Sequence, residues 1–136
     1  MSEAILSGVA VIIILLLTLV SVVLLKRRPR HLNQEYYQGR WHTLQGQLKD
    51  KTTWPLAIID ADKLLDDVLK RSRYKGKSMG ERLVSAQRDL TDNDGVWFGH
   101  KLRNRLVHES DVKLTEKVVK EALIGIRGAL KDLGAL

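Results

Sequence analysis

The sequence predicts an all-α protein: an N-terminal transmembrane helix followed by an antiparallel bundle of four to five short helices. Three observations carry that prediction. An uncharged apolar run fills residues 4 to 25. Beyond it, apolar side chains recur at the three- and four-residue spacing of amphipathic helices, and no segment alternates in the two-residue rhythm of a half-buried strand.

The run from Ala4 to Leu25 is interrupted only by Ser7, Gly8, Thr18 and Ser21. As a helix it reaches roughly 33 Å, enough for a hydrocarbon core of about 30 Å. A cleaved signal peptide would need a basic leader, a shorter apolar stretch and a small-residue cleavage site. Here the leader is Met1-Ser2-Glu3, and Lys26-Arg27-Arg28-Pro29-Arg30 follows the run, so the segment reads as a retained anchor. Basic flanks stay on the cytoplasmic side of a span. Residues 1 to 3 are therefore expected outside and residues 26 to 136 on the cytoplasmic side, which makes this a single-pass protein of the cytoplasmic (inner) membrane. Lys26, Arg27, Arg28 and Arg30 act as the topology signal and touch anionic headgroups of the lipid bilayer.

Residues 26 to 33 form a basic linker, and residues 34 to 136 the cytoplasmic domain, the size of one modest core. The four basic residues of the linker account for more than half of the formal net charge of +7, so the domain itself is only mildly basic. With no cysteine in the chain, disulfide scaffolds, thiolate zinc sites, iron–sulfur clusters and cysteine nucleophiles are excluded.

Within the domain the first helix spans residues 34 to 50, with Tyr37, Trp41, Leu44 and Leu48 on one stripe. Thr53-Trp54-Pro55 opens the second, since proline in a first turn loses no intrahelical hydrogen bond. It runs to Lys70 with Ile58, Ala61, Leu65 and Val68 inward. Its acidic run of Asp60, Asp62, Asp66 and Asp67, interleaved with Lys63 and Lys70, reads as a solvated face rather than a metal site. Ser78-Met79-Gly80-Glu81 matches a capping box and starts a helix bearing Met79, Leu83, Ala86 and Leu90. The turn cluster Thr91-Asp92-Asn93-Asp94-Gly95 leads into a helix of residues 96 to 109. Thr115 caps the last helix, residues 116 to 132, with Val119, Ala122, Leu123, Ile126, Leu130 and Leu133 inward and Gly134 past its end.

The helix of residues 96 to 109 carries the chemistry. At 100° per residue Phe98, Leu102 and Leu106 make its buried stripe, while His100, Arg103, Asn104, Val107 and His108 fall on the opposite face. Asn104 and His108 are i, i+4 neighbours and can touch. A histidine can move a ribose 2′-OH proton, and an arginine can clasp a phosphate as it gains charge. No carboxylate cluster with metal-ligand spacing accompanies them, so no metal or cofactor is expected. Taken singly, each residue also has a structural reading: His108 against the helix dipole, Arg103 in an ion pair, Asn104 fixing the next loop.

The stretch Arg103-Asn104-Arg105-Leu106-Val107-His108 resembles the R-N-x3-H form of the R-x4-6-H motif of the HEPN superfamily, and the likeness extends over residues 54 to 133, including Trp97 and His100-Lys101-Leu102. The resemblance implies an all-α, HEPN-like bundle, a homodimer, and in many members a metal-independent endoribonuclease of stress or phage defence. It would make Arg103 the phosphate holder, Asn104 the polar residue beside it and His108 the acid or base; His100, on the same helix face, is an accessory candidate from its position alone. The subgroup with R-x4-H-x-Y has its tyrosine replaced here by Ser110.

Outside that helix, Arg71, Arg73, Lys75 and Lys77 form a basic loop suited to RNA or another phosphate, and equally to a solvated loop near an anionic membrane. Trp41, Trp54 and Trp97 read as core or helix-junction residues rather than base-stacking platforms. Two functional classes follow: a membrane-anchored endoribonuclease with RNA as partner, or a non-catalytic HEPN-like module that dimerises or binds a partner protein at the membrane.

Overall fold

The computed structural model describes residues 2–26 and 31–136, in two units divided after Arg30. Among the described residues there are six α-helices and no strand. The expectations for Arg27, Arg28, Pro29 and Arg30 lie outside the described residues, as does Met1.

The first unit is helix α1 (Ser2–Lys26). Its segment Ile5–Val23 is long and apolar enough to cross a membrane, and none of those side chains is buried in the structure. Two of its hydroxyls turn back on their own helix: Ser7 Oγ donates to the Glu3 carbonyl and Thr18 Oγ1 to the Leu15 carbonyl, both at 2.8 Å. Each hydroxyl is thereby satisfied without water, as an apolar surrounding requires.

The second unit, residues 31–136, contains α2 (Gln34–Gly46), α3 (Trp54–Arg71), α4 (Met79–Ala86), α5 (Asn93–His108) and α6 (Glu116–Asp132). Helix α2 starts where the Asn33 side chain accepts from the Tyr36 N–H at 3.1 Å and stops short of the predicted residue 50. Asp50 takes an extended backbone and accepts from the Thr52 N–H, while Thr53 Oγ1 donates to the Gln47 and Asp50 carbonyls. These local bonds outcompete the helix ladder, so two 3₁₀ turns, Gln47–Lys49 and Lys51–Thr53, join α2 to α3. Trp54 closes the corner, its indole N–H donating to the Leu48 carbonyl at 3.0 Å.

Helix α3 is the central strut, packed against α2, α4, α5 and α6. Ala57, Ile58, Ala61, Leu65, Val68 and Leu69 on it are fully buried. The capping box at α4 is shifted by one residue: the Ser78 hydroxyl accepts from the Glu81 N–H as predicted, but the Glu81 carboxylate accepts from the Lys77 N–H at 2.6 Å. Helix α5 begins earlier than predicted because Asp92, within the turn cluster, is the cap, accepting from the Gly95 N–H at 2.9 Å. Thr115 caps α6 as the sequence indicates, and every residue of the predicted α6 stripe is buried.

Helices α5 and α6 approach most closely through glycine. A Cβ on Gly99 would stand 2.9 Å from the Ala122 carbonyl oxygen, and one on Gly125 would run into the Gly95 backbone. Only hydrogen at those positions lets the two helices sit this near. Their contact fixes the depth at which α5 lies on α3, and with it the position of the polar residues between them.

Candidate functional site

The geometry of α5 differs from the wheel predicted for it. Val96, Gly99, His100 and Leu102 are its buried residues, while Phe98 and Leu106 are only half-buried. The buried face is therefore rotated toward His100, because the close glycine contact with α6 seats α5 on its Gly99 side. His100, placed on the outer face by the sequence reading, is a core residue, 8% exposed.

Its partner is Asp62 of α3, 3% exposed, which the sequence reading put on a solvated face. Asp62 follows Ile58 by four residues and precedes Leu65 by three, so it lies on the apolar stripe of α3. An ionised side chain there must find a partner. His100 Nδ1 is 2.9 Å from Asp62 Oδ1, and His100 Nε2 is 3.3 Å from Asn104 Nδ2. Arg103 Nη1 donates to Asn104 Oδ1 at 3.0 Å, and Arg103 Nε stands 3.5 Å from Asp62 Oδ2.

These four contacts close a ring: Asp62, His100, Asn104, Arg103 and back to Asp62. The proton directions follow from the chemistry. Guanidinium only donates, so Asn104 turns its oxygen to Arg103 and its NH₂ to His100. His100 Nε2 is then an acceptor, and its ring proton sits on Nδ1, pointing at Asp62. Trp97 packs edge-on to the imidazole, with ring centroids 5.8 Å apart. Gly80 in the first turn of α4 lies against the same indole, where a Cβ would stand 3.5 Å from Trp97 Cη2.

The ring forms one wall of a cleft of about 420 Å³ lined by Asp62, Lys63, Ser78, His100, Arg103 and Asn104, among others. Arg103 is half-buried there, with 29% of its side chain exposed. Asp66 at the cleft edge is bound by Lys70 at 2.7 Å and Arg82 at 2.6 Å. Burial by itself would raise the Asp66 carboxyl, but the hydrogen bonds and charges of Lys70 and Arg82 outweigh it and hold the group below the usual carboxylate value.

Of the residues predicted for the site, the structure brings Arg103, Asn104 and His100 together. His108 is not with them. It is the last residue of α5, exposed, and absent from the cleft lining. No hydrogen bond joins it to Asn104 among the described residues; the Asn104 amide is committed to His100. The basic loop is also dispersed: Arg71 pairs with Asp67 at 2.9 Å, while Arg73, Lys75 and Lys77 are exposed. Among the described residues no group of three or more His, Asp or Glu side chains is arranged to hold a metal ion. Asp62 is the site residue that sequence reasoning missed, and its place on the α3 stripe was the available signal.

Trp41 and Trp54 are buried and Trp97 half-buried against the core. No family model, no curated protein and no solved structure matches this chain.

Proposed function

We propose that residues 31–136 are a protein-interaction module of HEPN-like architecture, carried on a single membrane span, in which Arg103 and Asn104 hold the fold rather than cleave RNA. The observation that carries this reading is the closed ring. The basic nitrogen of His100 is covered by the Asn104 amide, and Arg103 divides its donors between Asn104 and Asp62. An acid or base must reach its substrate within hydrogen-bond distance, and a phosphate clamp needs uncommitted donors. At this cleft the accepting nitrogen of His100 is occupied and Arg103 Nη1 is committed to Asn104, which leaves only the exposed edge of the guanidinium.

The partner that fits best is a second copy of the chain. Ile124 of α6 is 68% exposed, and half-buried Phe98 of α5 lines the same shallow depression, rimmed by Glu116, Lys117, Lys120 and Glu121. An apolar centre ringed by both charge signs, Asp92 and Asp94 included, supports pairing with a like surface about a two-fold axis. Light scattering on the detergent-solubilised full chain tests this: wild type is expected as a dimer and Ile124→Glu as a monomer with unchanged helicity. A monomeric wild type, or a dimeric variant, would refute it.

A second reading, a metal-independent endoribonuclease, is favoured by the exposure of His108 and by the accessible edge of Arg103. It requires RNA cleavage in EDTA that disappears in His108→Ala. The interaction-module reading expects no cleavage by wild type.

A further inference from the structure

The loop between α3 and α4 exposes Arg73, Lys75 and Lys77, and among the described residues none of the three forms an ion pair. The acids nearest in the structure are already engaged: Asp67 by Arg71 and Tyr37, Asp89 by the Tyr74 hydroxyl at 2.7 Å, and Glu81 by the Lys77 N–H. The loop is also held in shape. Buried Arg82 ties the Gly76 carbonyl at 2.9 Å while pairing with Asp66, and the Arg73 and Tyr74 N–H groups bond back to the Lys70 and Leu69 carbonyls. Arg73 itself sits at φ 63°, a left-handed conformation stabilised by those bonds.

This loop emerges at the end of the bundle where the chain enters it. Tyr37, in the first turn of α2, donates to Asp67 Oδ2 at 2.6 Å, and Asp67 in turn holds Arg71 at the end of α3. Gln34 reaches the Gly134 carbonyl at 3.0 Å, and Thr91 binds Asp132 at 2.8 Å, so the end of α6 lies there too. The seven residues between Lys26 and Gln34 can span at most about 25 Å. If α1 crosses a bilayer, that short linker tethers the domain to the lipid surface.

We propose that Arg73, Lys75 and Lys77 form a docking surface for anionic lipid headgroups, a second contact with the membrane that fixes the orientation of the domain. The proposal rests on the reading of α1 as a span. Nucleic acid is the less suitable occupant, because the one aromatic residue of the loop, Tyr74, is half-buried with its hydroxyl committed and offers no stacking platform.

The test uses the full chain in nanodiscs of phosphatidylcholine, with and without phosphatidylglycerol, carrying a quencher on the lipid headgroups. The chain has no cysteine, so Gln87→Cys, exposed two residues before the Asp89 that bonds Tyr74 of the loop, and Ser110→Cys, beyond the far end of α5, each give one labelling site for a fluorophore. Each basic residue near an anionic surface changes occupancy by roughly fivefold. Quenching at position 87 should rise with phosphatidylglycerol and fall with salt. In Arg73→Gln/Lys75→Gln/Lys77→Gln, the ratio of docked to undocked domain should drop on the order of a hundredfold, with position 110 unaffected. Quenching that ignores lipid composition, or that survives the triple substitution, would overturn the proposal. So would RNA binding that depends on the three side chains while quenching ignores the lipid. Retention on vesicles after an alkaline wash is scored separately: a chain that washes off loses the anchor and the proposal with it. A retained chain with composition-insensitive quenching loses the loop contact alone.

Discussion

Substituting Asp62 by alanine removes the one acidic member of the ring and leaves two donors facing each other. The His100 side chain is 10% exposed and loses the acceptor of its Nδ1 proton; Arg103 Nε, which makes no hydrogen bond, loses its ion pair. A buried hydrogen bond to a charged group contributes about 1.5 to 3 kcal/mol. The Arg103 contact, at 3.5 Å with 29% of the arginine side chain exposed, is discounted for solvent to under about 1 kcal/mol. The expected cost of Asp62→Ala is therefore about 1.5 to 4 kcal/mol, a large share of the stability of a domain this size. Urea unfolding of the detergent-solubilised full chain, followed by far-UV circular dichroism, measures it. A double-mutant cycle with His100→Ala should give a coupling energy of about 1.5 kcal/mol or more. A cost below about 0.5 kcal/mol together with negligible coupling would refute the reasoning, because a buried imidazole N–H stripped of its acceptor cannot be tolerated that cheaply.

Three further outcomes follow from the packing and the charges. Gly125→Ala should destabilise the domain by about 1 to 3 kcal/mol in the same urea assay, since its Cβ meets the Gly95 backbone, whereas Gly128→Ala, with nothing in its way, should be neutral or mildly stabilising. Asp66 has a folded-state pKa below its unfolded value, so its contribution is complete above the unfolded pKa and is lost as pH falls through the folded one; stability should drop on acidification, and less steeply in Asp66→Asn. Tyr74 is raised well above its ordinary value by burial and then by its bond to Asp89, so its contribution is full below the unfolded pKa and vanishes as pH rises toward the folded one; alkaline unfolding should be blunted in Tyr74→Phe.

Much of the fold is legible in the sequence because its helix starts are written in side chains that act locally. Ser78 and Thr115 cap the helices they precede, and the α6 stripe is buried residue for residue. What local periodicity could not supply is the effect of neighbours. The break after Gly46 comes from an Asp50 and Thr53 network that competes with the helix. The roll of α5 comes from Gly99 and Gly125, which are silent on a hydrophobicity wheel yet decide which side of the helix can approach α6. Because of that roll, His100 faces the core and not the outside, where it meets Asp62 on the apolar stripe of α3. Arg103 and Asn104, placed on one helix face by the sequence, contact each other in the structure, and Asn104 meets His100, four positions before it, and not His108, four after it.

The ring itself can be read directly from the protonation of one imidazole. A long-range proton–nitrogen correlation spectrum of the full chain, assigned through His100→Gln, reports which ring nitrogen carries hydrogen. The account predicts hydrogen on Nδ1, facing Asp62, and an unprotonated Nε2 that shifts on Asn104→Ala. Hydrogen on Nε2, or a signal indifferent to Asn104, would contradict the closed ring and return His100 and Arg103 to the list of groups free to act on a substrate.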